Sequence, residues 1–482
     1  MFALWWIILG EVYIYSSRYG VSDPNLIIEI MKEFLSLIVS SASFALDIFY
    51  LVSAFLSAYI LAEGYIKLQN GKGRFLLLAL LRRWYRLAPT LYVTTGFGAV
   101  LFKYFGGGPL WPTNMERWVL SQCRRYWWTN FVFVNNLVPW NGEDQCLDWL
   151  WFVANELQFF LLAIVSVVLF CVRPRLAYTL NFLLVLACIG LNFATTMQKD
   201  YGIRAVFEDT AFFVDVYERP WNTMAAYCMG LMAGLFYFQY RHEDNRCYYN
   251  KHACFVFYAF KEYKTFRLIG YTVGTILVFF VIFVQYPAYQ NDTSKGGWGP
   301  LPSAFYNSLS RVLFVIGYLQ LLFPMLVGHG SFVRHIVASE FFVPMARMIY
   351  SAYCIHGLVL LWYLFSLRQS LYLSHMNLLF IFLSLSIVTF FIAIPVSLFV
   401  EGPFLLLEKT FFNLKRAKLK LKADLQNALH EQRTASPILK PPETKRHVKT
   451  FTATEEAKHS SIHGEHSRDA FKRKSEGEGD YS

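Results

Sequence analysis

Residues 148–171 read DWLWFVANELQFFLLAIVSVVLFC, and this stretch decides the fold. It is apolar almost throughout, with no alternation of period two, and it is long enough to cross the ~30 Å hydrocarbon core as a helix. A transmembrane barrel strand would instead alternate over about ten residues. Similar runs recur along the chain at about 2–17, 42–62, 76–104, 176–197, 221–240, 267–286, 304–327, 344–365 and 377–406. Ten spans in all are expected, in an all-α polytopic membrane protein. Hydrophobic residues make up 56% of the chain and aromatic residues 18%, far from the balance of a soluble domain.

The net charge of +11 does not point to nucleic acid, because the basic residues sit in short loops between apolar runs and in a polar tail. Lys67, Lys72, Arg74, Arg82, Arg83 and Arg86 follow span two. Arg173 and Arg175 follow span four, Arg241 to Arg267 supply six cations after span six, and Arg334 and Arg347 follow span eight. These are all even-numbered exits, so that face is expected to be cytosolic, with both termini on it. The other face carries Glu208, Asp209, Asp215 and Glu218, and the glycosylation sequon Asn291-Asp292-Thr293. The membrane is expected to be the endoplasmic reticulum or the plasma membrane.

Phe2 to Tyr15 is apolar at once, with no basic region before it, so it reads as a membrane helix already under way and not as a signal peptide. The chain is expected to start within that helix or to have a short one. Two regions are expected: a membrane domain, 1–407, and a cytosolic tail, 408–482. In the tail, Phe411 to about His430 patterns as an amphipathic surface helix, and from Thr434 on there is too little apolar surface to offset chain entropy. No internal repeat is visible.

Cys123 and Cys146 both fall in the 105–147 segment of the non-cytosolic face, where an oxidising compartment permits a bridge. Cys247 and Cys254 are expected as free thiols, and the other cysteines as packing residues. No Cys/His cluster has metal spacing.

Ionisable groups within spans are costly and are functional candidates by default. They are Glu11, Asp47, Glu156, Arg311, His356 and Glu401. Each could equally be half of a buried ion pair or a helix-end cap. His356 is the most chemical of them, since imidazole takes and gives protons near neutrality. Asn155 and Gln158 are three residues apart and share a helix face, whereas Glu156 points elsewhere. Arg82, Arg83 and Arg86 open span three; guanidinium forks suit phosphate oxygens, and they suit anchoring to anionic lipid equally well.

Together these stretches resemble the acyltransferase-3 superfamily of membrane acyltransferases, most closely its nose-resistant-to-fluoxetine branch. The resemblance runs from Trp6–Gly10 through Asp47–Leu56, similar to the family's Asp-x-Phe-Phe-x-x-Ser-Gly-x-Leu, and Arg82–Pro89, similar to Arg-x-x-Arg-Leu-x-Pro. It continues through Trp127–Asn136 to Cys146, Trp149–Phe159, Ser310-Arg311, Tyr350–His356 and Glu401-Gly402-Pro403. It implies transfer of an acyl group from a cytosolic donor such as acyl-CoA, as co-substrate and with no tightly bound cofactor, to a lipid or other membrane-accessible acceptor. In that reading Glu11, His356 and Asp47 are catalytic. Asn155, Glu156, Gln158, Arg311, Glu401 and the three arginines bind substrate. The family's catalytic histidine after the span-one glycine is here Glu11, its Ser-Gly is Ser53-Ala54, and its Asn-Asp is Asn155-Glu156. The arginine expected about three turns before that histidine and the extracellular domain expected before the membrane part are not in this sequence. The alternative is a non-catalytic relative that binds or moves lipids; a secondary transporter ranks last. The oligomeric state is left open.

Overall fold

The structure, a computed structural model, describes residues 1–20, 29–68, 70–140, 144–203, 210–242, 251–290, 298–328, 339–408 and 410, all within the compact unit Met1–Arg416. Asn291 and its sequon, Glu208, Asp209, Cys247 and nearly all of the tail lie outside the described residues. Among the described residues the regular structure is helical, without strands.

Each expected span folds as a helix. In chain order they are α1 (Phe2–Tyr15), α2 (Phe44–Lys67), α3 (Lys72–Gly96), α4 (Trp151–Val172), α5 (Pro174–Lys199), α6 (Pro220–Arg241), α7 (Lys264–Phe283), α8 (Pro300–Leu326), α9 (Ile349–Phe365) and α10 (His375–Val396). The count of ten membrane-crossing helices is not confirmed, however. Among the described residues, six helical stretches are long and apolar enough to cross a membrane: Phe44–Lys67, Asp148–Val172, Pro174–Lys199, Lys264–Gln290, Pro300–Leu326 and His375–Glu408. The physical reasons differ for the other four. At 1.5 Å rise per residue, α1 with 14 residues covers only about 21 Å, and α9 with 17 residues about 26 Å. α3 carries Lys72, Arg74, Arg82, Arg83 and Arg86, and α6 mixes Asn222, Thr223 and Gln239 into its buried face.

Small residues let the helices approach closely, as they do in membrane bundles where the hydrophobic effect between helices is absent. A Cβ added at Gly230 of α6 would lie 2.5 Å from the Leu51 carbonyl oxygen of α2, and one at Gly234 would lie 2.5 Å from that of Phe55. Gly274 of α7 and Gly317 of α8 make a second crossing of this kind, backbone against backbone.

α1 does not end cleanly. It runs into a π-helical turn, Ser16–Gly20, where Arg18 is exposed and Tyr19 packs against Trp118 and Phe365. Residues 105–140 include short helices, among them Trp111–Met115 and Ser121–Val132, over one end of the bundle. The Cys123–Cys146 disulfide holds them there, and Asn130 Nδ2 donates to the Cys146 carbonyl at 2.9 Å.

Candidate active site

The end of α1, the starts of α2 and α4, the 213–218 turn before α6 and the short helices of 105–140 all meet at one end of the bundle. Between them lies a cavity of about 340 Å³. Its wall is mostly apolar, from Ile7, Leu46, Trp118, Trp149, Trp151 and Phe213, and its ionisable members are Glu11, Tyr15, Arg18, Tyr19, Asp148, Glu218 and Tyr353.

Glu11 is the link between this cavity and the helix core. Its Oε2 lies 2.7 Å from His356 Nε2 of α9, with the Glu11 side chain 19% exposed and the His356 side chain 1%. The tautomer follows from the partners. His356 Nδ1 contacts the Tyr353 carbonyl, which can only accept, so Nδ1 carries a proton. Nε2 and Oε2 are close enough to share one proton, as imidazolium and carboxylate or as imidazole and carboxylic acid, although their alignment here is not that of a formed hydrogen bond. Trp149 flanks the imidazole, with ring centroids 6.3 Å apart, and donates Nε1–H to the Cys354 carbonyl at 3.0 Å. Gly357, the next residue of α9, has no Cβ to collide with that indole.

Ile7, Glu11 and Ile14 of α1 line the cavity at helical spacing, Arg18 of the following π-helical turn continues the stripe, and Gly10, Tyr15 and Tyr19 line the cavity beside them. Tyr15, one turn after Glu11, donates its hydroxyl to Asp148 Oδ1 at 2.7 Å. Glu218, also on the wall, accepts from the Gln145 side-chain amide at 2.5 Å. Burial pushes its carboxyl up to about 8, against the Gln145 hydrogen bond and with the help of the nearby Asp148 charge.

The other sequence-expected residues are placed elsewhere and are mostly paired. Asp47 Oδ2 lies 3.1 Å from Arg311 Nε, away from the Glu11 cavity, and the Arg311 guanidinium covers the Tyr217 ring at 4.6 Å. Glu156 is ion-paired with Arg83, and Ser53 bonds both. Asn155 and Gln158 do share a face: Asn136 Nδ2 reaches Asn155 Oδ1 at 2.5 Å and Gln158 Oε1 at 3.0 Å. Glu401 Oε2 accepts from Ser351 at 2.8 Å. Arg82 pairs with Glu408 at the end of the bundle opposite the cavity, and Arg86 is exposed. So Glu11 and His356 come together, Asp47 joins Arg311, and the three arginines are not one cluster of open cations.

Asp148, Tyr15 and Arg18 are cavity residues that no motif in the sequence singles out. The stripe Glu11, Tyr15, Arg18 at i, i+4 and i+7 was available in the sequence. The pairing of Tyr15 with Asp148 was not, because it joins residues 133 positions apart.

The fold and the site define a polytopic helical membrane protein with an ionisable pair at the wall of a buried cavity. No family model matches the chain, and no solved structure does. It is similar to nose resistant to fluoxetine protein 6 of Caenorhabditis elegans, with 23% identity over 439 residues, covering 85% of this chain and 50% of that protein. It is also similar to regulator of hypoxia-inducible factor 1 of the same organism, with 20% identity over 343 residues, covering 67% and 61%. The chain thus spans about half to three fifths of these relatives' length. The match bears out the resemblance to the nose-resistant-to-fluoxetine branch.

Proposed function

We propose that this chain is a membrane-bound acyltransferase that moves an acyl group from an acyl-CoA-type donor to a lipid or other membrane-accessible acceptor. The observation that carries the reading is the Glu11–His356 contact of 2.7 Å at the wall of the cavity. The acceptor hydroxyl enters the cavity and gives its proton to Glu11, whose other oxygen stays held by His356. The hydroxyl oxygen forms a C–O bond to the thioester carbonyl carbon, the C–S bond breaks, and the leaving thiolate collects the proton from Glu11. An ester and a free thiol result. The loop charges favour a cytosolic position for the donor, with Arg82 and Arg86 nearest its phosphates. Asn291 then faces the glycosylation machinery.

A second reading has its own support. Arg82, Arg83 and Asp47 are already in ion pairs, and the cavity wall is mostly apolar. Such a chain could bind or move lipids without catalysis, since fold alone does not fix activity.

Purified protein supplied with several acyl-CoA donors separates the two. Glu11→Gln is expected to abolish turnover while the protein stays folded. Glu11→His is expected to retain or raise it, because it restores the base the family uses. If neither the unmodified protein nor Glu11→His turns over any donor, the catalytic reading fails and lipid binding without catalysis replaces it.

A further inference from the structure

The charges of the cavity do not cancel evenly. Glu11 faces His356, Asp148 accepts the Tyr15 hydroxyl, and Glu218 accepts from Gln145. Arg18 is the cation among the lining residues, and its charge acts on Asp148 without a salt bridge among the described residues. It is exposed, at the mouth end of the α1 stripe. Beside it, Arg117 stacks on the ring of the lining residue Trp118, 4.9 Å from the centroid, and is exposed too. Tyr19, the residue after Arg18, packs its ring against that of Trp118 with centroids 5.4 Å apart, and this brings Arg18 and Arg117 to the same rim. The donor groups of Arg18 and Arg117 are not taken up by any ion pair among the described residues, so the mouth offers guanidinium donors to a ligand.

The geometry points to an anionic amphiphile as the occupant, bound with a phosphate group on Arg18 and Arg117 and its remaining length along the apolar wall. Guanidinium forks match phosphate oxygens in bidentate fashion. Arg18 and Glu11 share one face of α1 and are seven residues apart, about 10 Å along the axis. The occupant therefore carries its acyl-accepting hydroxyl roughly 10 Å from its phosphate. A cavity of about 340 Å³ holds a head group and the first part of a chain, at the lower end of the ~300–1,000 Å³ usual for small-molecule sites. This inference rests on the cavity being the acceptor site, as proposed above, but its test needs no acyl donor.

The probe is a diazirine-bearing phosphatidylglycerol, compared with a phosphatidylcholine of the same chains, on the full-length, delipidated protein in detergent. Labelled peptides are mapped by mass spectrometry. Phosphatidylglycerol is expected to label the second half of α1 and the 111–122 segment roughly tenfold more than phosphatidylcholine does. Arg18→Gln is expected to lower that labelling about tenfold, Arg117→Gln about threefold, and Arg18→Lys by an intermediate amount, since charge is retained but the bidentate fork is lost. Arg241→Gln, on a helix end away from the cavity, is expected to change nothing there. Inorganic phosphate at millimolar concentration distinguishes the source. Protection from labelling assigns the site to a soluble phosphate, and lack of protection assigns it to a lipid head group. Equal labelling by the two lipids in the unmodified protein overturns the inference without any variant. So does undiminished labelling of Arg18→Gln. Binding without turnover leaves this inference standing and rejects the catalytic reading; turnover that is indifferent to Arg18 does the reverse.

Discussion

Arg311 Nε of α8 lies 3.1 Å from Asp47 Oδ2 of α2, and both side chains are almost wholly buried. The pair ties two helices that are far apart in sequence and leaves neither charge alone in the low-dielectric interior. Its Arg311 Nη1 also reaches the Val216 carbonyl, at 3.5 Å. Removing one member strands the other charge, which typically costs about 3–5 kcal/mol. Asp47→Asn or Arg311→Met is therefore expected to lower the unfolding temperature in detergent sharply. The double replacement is expected to lose clearly less than the sum of the two, since no charge is then left unpaired.

The crossing of α2 and α6 predicts a second stability effect. A Cβ at Gly230 would lie 2.5 Å from the Leu51 carbonyl and 2.7 Å from Ala54 Cβ. Neither neighbour is the end of a flexible side chain, so the helices must move apart. Gly230→Ala is expected to cost about 1–3 kcal/mol, the usual range for overpacking. Gly190 of α5 has open space where its Cβ would be, so Gly190→Ala is expected to be neutral or slightly stabilising. Thermal unfolding of the two variants side by side checks the contrast.

Glu218 gives a pH dependence with a definite sign. Its carboxyl is raised from 4.5 to about 8 by burial, the Gln145 hydrogen bond notwithstanding. The folded form keeps a proton that the unfolded chain releases above its own lower value. The stability this group contributes is therefore full below about pH 4.5 and is lost as pH rises toward 8. The slope in that window is at most ~1.4 kcal/mol per pH unit for one group. Glu218→Gln cannot titrate and is expected to flatten the profile of unfolding temperature against pH between about pH 5 and 8. An unchanged slope in the variant would remove Glu218 from the account.

Why some of this was legible in the sequence and some was not has a physical basis. The helices follow from continuous apolar runs, which report burial in lipid or core whatever the partner. The Cys123–Cys146 bridge followed from two cysteines sharing one segment on one face. Asn155 and Gln158 share a partner because helical spacing puts them on one side. Pairings such as Arg83 with Glu156 or Asp47 with Arg311 belong to the tertiary arrangement, and periodicity along one helix carries no trace of them. The short helices over 105–140 were hidden because a segment lying across the end of a bundle has no run long enough to be read as a span. Glu11 was found by its position after Gly10, yet its nearness to His356 depends on how α1 and α9 pack. The count of ten spans is left unconfirmed on the same ground: by length and composition α1 and α9 are apolar but short, and α3 is long but charged.

The three arginines of α3, read together from the sequence as a phosphate cradle, are expected to behave separately. Arg83 is committed to Glu156 and Ser53 in the interior, so Arg83→Gln strands a buried carboxylate and is expected to act mainly on folding. Arg82 is half exposed, but its partner Glu408 is only 4% exposed. Arg82→Gln therefore leaves a buried carboxylate without its cation and is expected to lower stability, though less than Arg83→Gln because the arginine end of the pair is open to solvent. Arg86 is exposed and acts on Glu401 only through its charge, so its guanidinium remains open to a ligand. If donor phosphates dock at this end, Arg86→Gln raises KM for acyl-CoA with kcat little altered, the signature of binding lost equally in ground and transition states. Arg86→Lys restores part of the affinity but not the bidentate geometry. Steady-state kinetics with varied acyl-CoA, alongside unfolding temperatures for all three variants, checks the division. A fall in kcat without any change in KM for Arg86→Gln would place the donor's phosphates elsewhere.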